Sequence, residues 1–355
     1  MGARWIAAVL LVISGGFVRA QTPILGVSSN TTLFLGAWPW NDSSYVLVGD
    51  VEWSSTNPLA TAPIAIVSNG ISLNLNGKTI RAIGSSSNAF NSTGILIDTC
   101  SNVVVTNGTI EGFREKGISV VFSGTGVTLA DLTITNIHNP TTNAASLMDS
   151  VLNPTAGISI EFGAGGVTVS NVVISNISGG PNVMSVAGLE ALYAPSLQVF
   201  NSTVSGVSNS VAVGNAQNLC NGISVLFSSN AVFSNITVAN VVGNSNTASV
   251  SGLVTYGSGN FQFVGSSAAS NVISGVTNYG AVAAGISGTQ VSGMTVRHTR
   301  ISNLFTGQDW TNNLIGHTVL GMVFAPLNGY PLGFTAITVT HGGSGYTPAP
   351  TVPIS

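Results

Sequence analysis

The sequence predicts an all-β fold built as a solenoid of stacked three-strand coils, and three observations carry that expectation. First, one pattern recurs along the chain. Around Asn107, apolar residues sit at minus four, minus two, plus three and plus six, with a glycine at plus five, and the arrangement returns around Asp131, Asn171, Asn201, Asn235 and His298 with glycine or asparagine at plus five. Such a unit cannot bury its apolar side alone and needs neighbours to stack on. Second, a glycine followed by alternating apolar residues opens a strand at Gly94, Gly117, Gly157, Gly188, Gly222, Gly252 and Gly285. Period-two alternation sends Ile118 and Val120, or Ile158 and Ile160, to one side. Third, charged residues are only 5% of the 355 while apolar residues are an ordinary 44%. Ser, Thr, Asn and Gly stand in for the missing charges, and they suit turns and sheet faces rather than helices.

In chain order, 1–20 has a basic residue at Arg4, an apolar run from Trp5 to Ile13 and the small-residue site Val18-Arg19-Ala20, the pattern of a secretory signal peptide. Its removal leaves six basic residues against 11 acidic ones, a net charge of −5. No basic stripe is left to neutralise phosphates, so nucleic acid is not an expected partner. No later apolar run reaches the length of a membrane span. The only cysteines, Cys100 and Cys220, fall four repeats apart. That separation is roughly 19 Å at the spacing of stacked strands, so two free thiols are expected.

Segment 21–44 reads as an irregular N-terminal cap, in which Trp38, Pro39 and Trp40 cover the open strand edge at the start of the array. The coils then occupy 45–335. Extra length falls after the third strand of each unit, as at His138 to Ala156 and Ser208 to Asn221, so the long loops leave from one corner. Asn and Gly at the zero and plus-five positions tolerate the positive φ of sharp bends, and stacked Asn amides can hydrogen-bond from coil to coil, with Asp131 and His298 substituting in that ladder. Of the seven glycosylation sequons, four (Asn107, Asn176, Asn201 and Asn235) coincide with this ladder, so the repeat itself generates them.

The runs SLNLNGKTI (72–80) and GILIDTCSNVVVTNGTIEGF (94–113), followed by another glycine-started strand, resemble the right-handed parallel β-helix proteins of the pectin-lyase-like superfamily. The resemblance extends from about Tyr45 to Phe334 and implies that fold. It does not imply one activity, because the fold hosts lyases, hydrolases, adhesins and tailspikes. Segment 336–355 (AITVTHGGSGYTPAPTVPIS) resembles a glycine-tyrosine-proline repeat of large surface proteins, which suggests a further C-terminal module or a docked end.

In the resembled enzymes the glycine-started face binds sugar chains. Here its outward positions include Asp98, Glu161, Glu190 and Tyr256, three carboxylates and a tyrosine suited to holding a saccharide. Glu161 and Glu190, one coil apart and offset by two residues, come roughly 8 Å from each other, within the separation of an inverting glycosidase pair. Isolated, solvated carboxylates on an apolar face are the simpler expectation. Arg297 and Arg300, flanking His298, are the densest cationic spot and the candidates for clamping an acidic sugar, though as exposed strand neighbours they need no function. Glu111, Arg114, Glu115 and Lys116 read as a solvated corner between coils. The Gly-His-Gly and Arg-Ile-Lys elements of the polygalacturonase-like members are not in the sequence. No His or Cys cluster has metal-ligand spacing, so neither a metal nor another cofactor is expected.

The expected function is binding of an extracellular polysaccharide or cell-surface glycan by a secreted protein, without catalysis. The alternatives are a polysaccharide lyase or glycoside hydrolase working on the glycine-started face, and a structural module of a longer adhesin or tail protein.

Overall fold

The computed structural model describes residues 21–26, 28–29, 31–37, 41–54, 62–83, 92–140, 154–163, 165–210, 215–306 and 318–325. These residues form strands and turns with no helix among them, and every strand pairing is parallel. The chain is a parallel β-helix. Segments 1–20 and 326–355, with Trp38 and Trp40, lie outside the described residues.

One sheet has ten strands stacked in chain order: Leu33–Leu35, Ile64–Ile66, Thr93–Asp98, Lys116–Val121, Thr155–Glu161, Ser185–Leu192, Asn215–Leu226, Thr247–Tyr256, Val282–Thr289 and Thr318–Ala325. From the third onward each carries one of the marker glycines or Gly321, and we call it the glycine-marked sheet. The other sheet has 16 strands. Its long strands bend across two sides of a coil: Thr128–Asn139 pairs with both Thr168–Ser170 and Val173–Gly179. The bends fall at Asp131 (φ 54°) and Asn136 (φ 57°).

Inward residues line up in columns. Tyr45, Leu73, Val105, Leu129, Val169, Val199, Phe233 and Phe263 are register partners in succession and are all buried. Each such side chain contributes about 1.5–3 kcal/mol on leaving water, so the columns hold coil on coil. The marker glycines answer to close approach rather than to φ. A Cβ on Gly157 would sit 2.3 Å from Ile174 Cγ2 and 2.7 Å from the Gly188 carbonyl oxygen, and the same clash recurs at Gly188, Gly222 and Gly252.

The asparagine ladder forms as the sequence predicts. Asn107, Asp131, Asn171, Asn201, Asn235 and His298 all have φ between 45° and 61°. Asn171 Nδ2 donates to Asp131 Oδ1 (3.1 Å) and Asn235 Nδ2 to Asn201 Oδ1 (2.8 Å). Segment 21–44, expected to be irregular, instead carries three short strands, Thr22–Ile24, Ser28–Ser29 and Leu33–Leu35, each paired in parallel with the coil that follows. Their alternation is too short to register as strand in the sequence, and the pairing partners supply the order.

Candidate functional site

The register of the glycine-marked sheet aligns Gly117, Gly157, Gly188 and Gly222, and thereby sets the outward columns. Ser119, Ser159, Glu190 and Ser224 form one column; Asp98, Val121, Glu161, Leu192, Leu226 and Tyr256 form the next. Glu161 and Glu190 are therefore one strand apart and offset by two residues, as the spacing predicts.

Their surroundings differ from the solvated ones expected. Glu161 is 6% exposed and Glu190 2%. Arg114 and Lys116, expected at a solvated corner, are buried too. The reason is that these side chains meet one another across coils. Lys116 Nζ lies 2.6 Å from Glu161 Oε1, Ser159 Oγ donates to the same oxygen, and Arg114 Nε donates to Asn139 Oδ1 (3.2 Å). Glu190 Oε2 is buried without a hydrogen-bond partner among the described residues. Burial pushes the Glu190 carboxyl well above the usual carboxylate range; the Lys116 ammonium pulls it back and the Glu161 carboxylate adds to the rise. Burial likewise raises half-buried Glu115 against the pull of Lys116 and Arg114. A carboxyl whose pKa is raised by burial thus stands beside one that contacts a lysine.

One position beyond the Glu161 column the strand turns, and here the structure holds a feature that the sequence analysis passed over. Phe122, Phe162, Tyr193 and Phe227 occupy this bend in successive coils, all with φ between 47° and 57°. Their rings stack along the helix with centroids 5.3, 6.0 and 5.0 Å apart and planes within 22° of each other. Each backbone N–H still donates to the next coil: Phe122 to Glu161 O, Phe162 to Leu192 O and Tyr193 to Leu226 O. Three of the four are nonetheless in solvent, Phe122 at 59% exposed, Tyr193 at 45% and Phe227 at 40%, while Phe162 between them is half-buried. A bulky residue at positive φ is unusual and costs about 1–3 kcal/mol, and such strain gathers at ligand clamps. The signal was in the sequence: each aromatic lies five residues after a marker glycine.

Two of the candidate residues flank this ladder. At one end the column continues to Thr99, whose Oγ1 donates to Asp98 Oδ1 (2.7 Å). Phe122 therefore has a ring neighbour on one side only. At the other end Tyr256 meets Phe227 edge-on, with centroids 5.1 Å apart, and the column passes to Gly257, where a Cβ would lie 2.6 Å from the Phe227 ring. Arg297 and Arg300 are exposed but belong to the 16-stranded sheet, paired with Val264 and Val272, so they do not join the carboxylates. That sheet also bears a shallow groove of about 270 Å³ lined by Asn136, His138, Asn176, Ser178, Gly206 and Ser208, with His138 Nδ1 2.8 Å from Ser178 Oγ. Among the described residues no group of three or more His, Cys, Asp or Glu side chains is placed to hold a metal ion, and no helix is long and apolar enough to cross a membrane. Cys100 and Cys220 are buried, free thiols.

No protein-family model and no curated protein matches the sequence. Solved structures are similar in fold. Pectate lyase Pel9A aligns with a TM-score of 0.42 and 11% identity over 79% of this chain and 68% of its own. The periplasmic alginate epimerase AlgG aligns with a TM-score of 0.37 and 11% identity over 79% and 71%. PfbA, a surface adhesin of Streptococcus pneumoniae, aligns with a TM-score of 0.33 and 11% identity over 80% and 81%. At this level of identity no site residue carries over from any of them.

Proposed function

We propose that the protein is secreted and binds a glycan chain outside the cell along the exposed aromatic ladder of its glycine-marked sheet, without chemistry of its own. The observation that carries this reading is the chain's choice of Phe122, Phe162, Tyr193 and Phe227 at bends where asparagine serves elsewhere. The bends at Asn171, Asn201 and Asn235 take the same positive φ with a small polar side chain. Four aromatics in its place add backbone strain and exposed apolar surface, neither of which helps a solvated coil. Sugar rings have one apolar C–H face and a rim of hydroxyls. The unstacked face of Phe122 suits the former, and the Asp98 carboxylate with the Thr99 hydroxyl suits the latter. From Phe122 to Phe227 the ladder runs about 14 Å at the strand spacing, the length of an oligosaccharide rather than of one sugar.

Binding is favoured over catalysis by the state of the two acids. Glu161 is engaged by Lys116 and Ser159, and Glu190 is 2% exposed. A general acid must come within hydrogen-bond reach of its substrate, and both carboxyls are almost wholly buried instead. The full chain on a glycan array, with the bound glycans then incubated and assayed for cleavage, tests the reading. Retention of a glycan family with no product formed is expected. Turnover abolished by Glu161→Gln together with Glu190→Gln would make the face a hydrolase or lyase, and an array with no retained glycan would remove the proposal.

A further inference from the structure

A lysine and a glutamate in contact, closed off from water, with a second acid on the adjacent strand, are the components of an amide bond. Lys116 Nζ and Glu161 Oε1 are 2.6 Å apart, and both side chains are 7% exposed. Ser159 Oγ donates to the same Glu161 oxygen, which polarises the carboxyl toward attack. Glu190 occupies the adjacent strand two residues off register, 2% exposed, its Oε2 without a partner among the described residues. An unpartnered, fully buried carboxyl is costly to keep and contributes nothing to coil packing.

We propose that Lys116 and Glu161 form an intramolecular isopeptide bond, with Glu190 as the proton carrier for the reaction. The step balances without an oxidant or any other co-reactant. A proton passes from the Lys116 ammonium to the Glu161 carboxylate across their contact, leaving a neutral amine and a neutral acid, the forms that a dry site favours. Nζ then attacks Cδ of Glu161. Glu190 gives its proton to the departing oxygen and recovers one from Nζ; the Nζ–Cδ bond forms, the Cδ–O bond breaks, and one water leaves. The ammonium and carboxylate become one neutral amide, and the cost of two desolvated charges disappears. Burial raises the pKa of the Glu190 carboxyl, which favours the protonated form that can donate. The link would tie the strands Lys116–Val121 and Thr155–Glu161, which already pair in parallel, across 45 residues of chain. Closing so long a segment constrains the unfolded chain, as a disulfide does.

Denaturing mass spectrometry of the full chain, followed by tryptic mapping, tests the proposal. The expected result is a mass one water below that of the sequence, no cleavage after Lys116, and a single tryptic peptide 115–297 that is one water light and carries the link internally, since no Lys or Arg stands between Lys116 and Arg297. Lys116→Arg and the near-isosteric Glu190→Gln should both return the full mass, Glu190→Gln with the native circular dichroism retained. A wild-type chain of full mass whose Lys116 and Glu161 peptides separate would overturn the proposal. So would a water loss that persists in Lys116→Arg. A Glu190→Gln chain that still carries the link would remove Glu190 from the reaction. The wild-type mass decides the bond even where a variant fails to fold, and it is independent of any glycan.

Discussion

Two neighbouring features of the glycine-marked sheet reverse the usual distribution of side chains. In one, the cluster of Lys116, Glu161 and Glu190 puts an amine-bearing side chain and two carboxyls almost wholly out of water; in the other, the column of Phe122, Tyr193 and Phe227 puts aromatic side chains into it. Glu161 and Phe162 are consecutive residues. Elsewhere the coils follow the ordinary rule, with aliphatic columns inside and an asparagine ladder outside. Solubility and packing therefore do not account for this cluster and this column, while they suffice for the rest of the described coils. The charged cluster depends on its members for mutual neutralisation, whereas the aromatic column is self-supporting through stacking, so the two should respond to substitution in opposite ways.

The largest effect is expected at the charged cluster. Lys116→Met leaves the Glu161 carboxyl buried without the partner that pairs with it or is linked to it, and should cost about 3–5 kcal/mol in denaturant unfolding. A loss under about 1 kcal/mol would mean that the pair is solvated. Next, Phe122→Ala removes the one ring with a free face. Glycan affinity should fall about tenfold or more, some 1.4 kcal/mol, with the thermal midpoint nearly unchanged; a large drop in midpoint would make Phe122 a structural residue and erase the contrast. Tyr193→Asn should be smaller still. It relieves about 1–3 kcal/mol of backbone strain and gives up two stacks of about 0.5–1.5 kcal/mol each, so the two effects offset and the net change should centre on zero. The least effect is expected at the cysteines, where burial holds the thiols of Cys100 and Cys220 up at about 11 and about 12. A raised thiol pKa favours the neutral form, so alkylation of the native protein should not accelerate between about pH 7 and about pH 9, as an ordinary thiol's would.

Much of this architecture is legible in the sequence because the repeat is local. The glycines ahead of Ile118, Ile158 and Leu189 mark strands, and the asparagines mark bends, each within a few residues of the pattern they complete. The aromatic ladder was equally local, five residues past each glycine, but a single Phe or Tyr beside a turn carries no sign of its φ or its stacking partner until the coils are superposed. The charged cluster was not legible. Lys116 and Glu161 are 45 residues apart, and whether a carboxylate on an outward column is wet depends on what the adjacent coils place beside it. Glu161 and Glu190 were found as a pair by register, while their burial and the role of Lys116 required the three-dimensional arrangement. The short strands within 21–44 were not legible for the converse reason: strands as short as Ser28–Ser29 acquire their conformation from the coil they stack on.

The most direct test is to titrate the wild-type chain and Phe122→Ala, by calorimetry under identical conditions, with the glycan that an array retains. Saturable binding by the wild type that is lost or weakened about tenfold in the variant, with both proteins equally folded, is the result the aromatic ladder predicts. Equal affinity in the two proteins would contradict it.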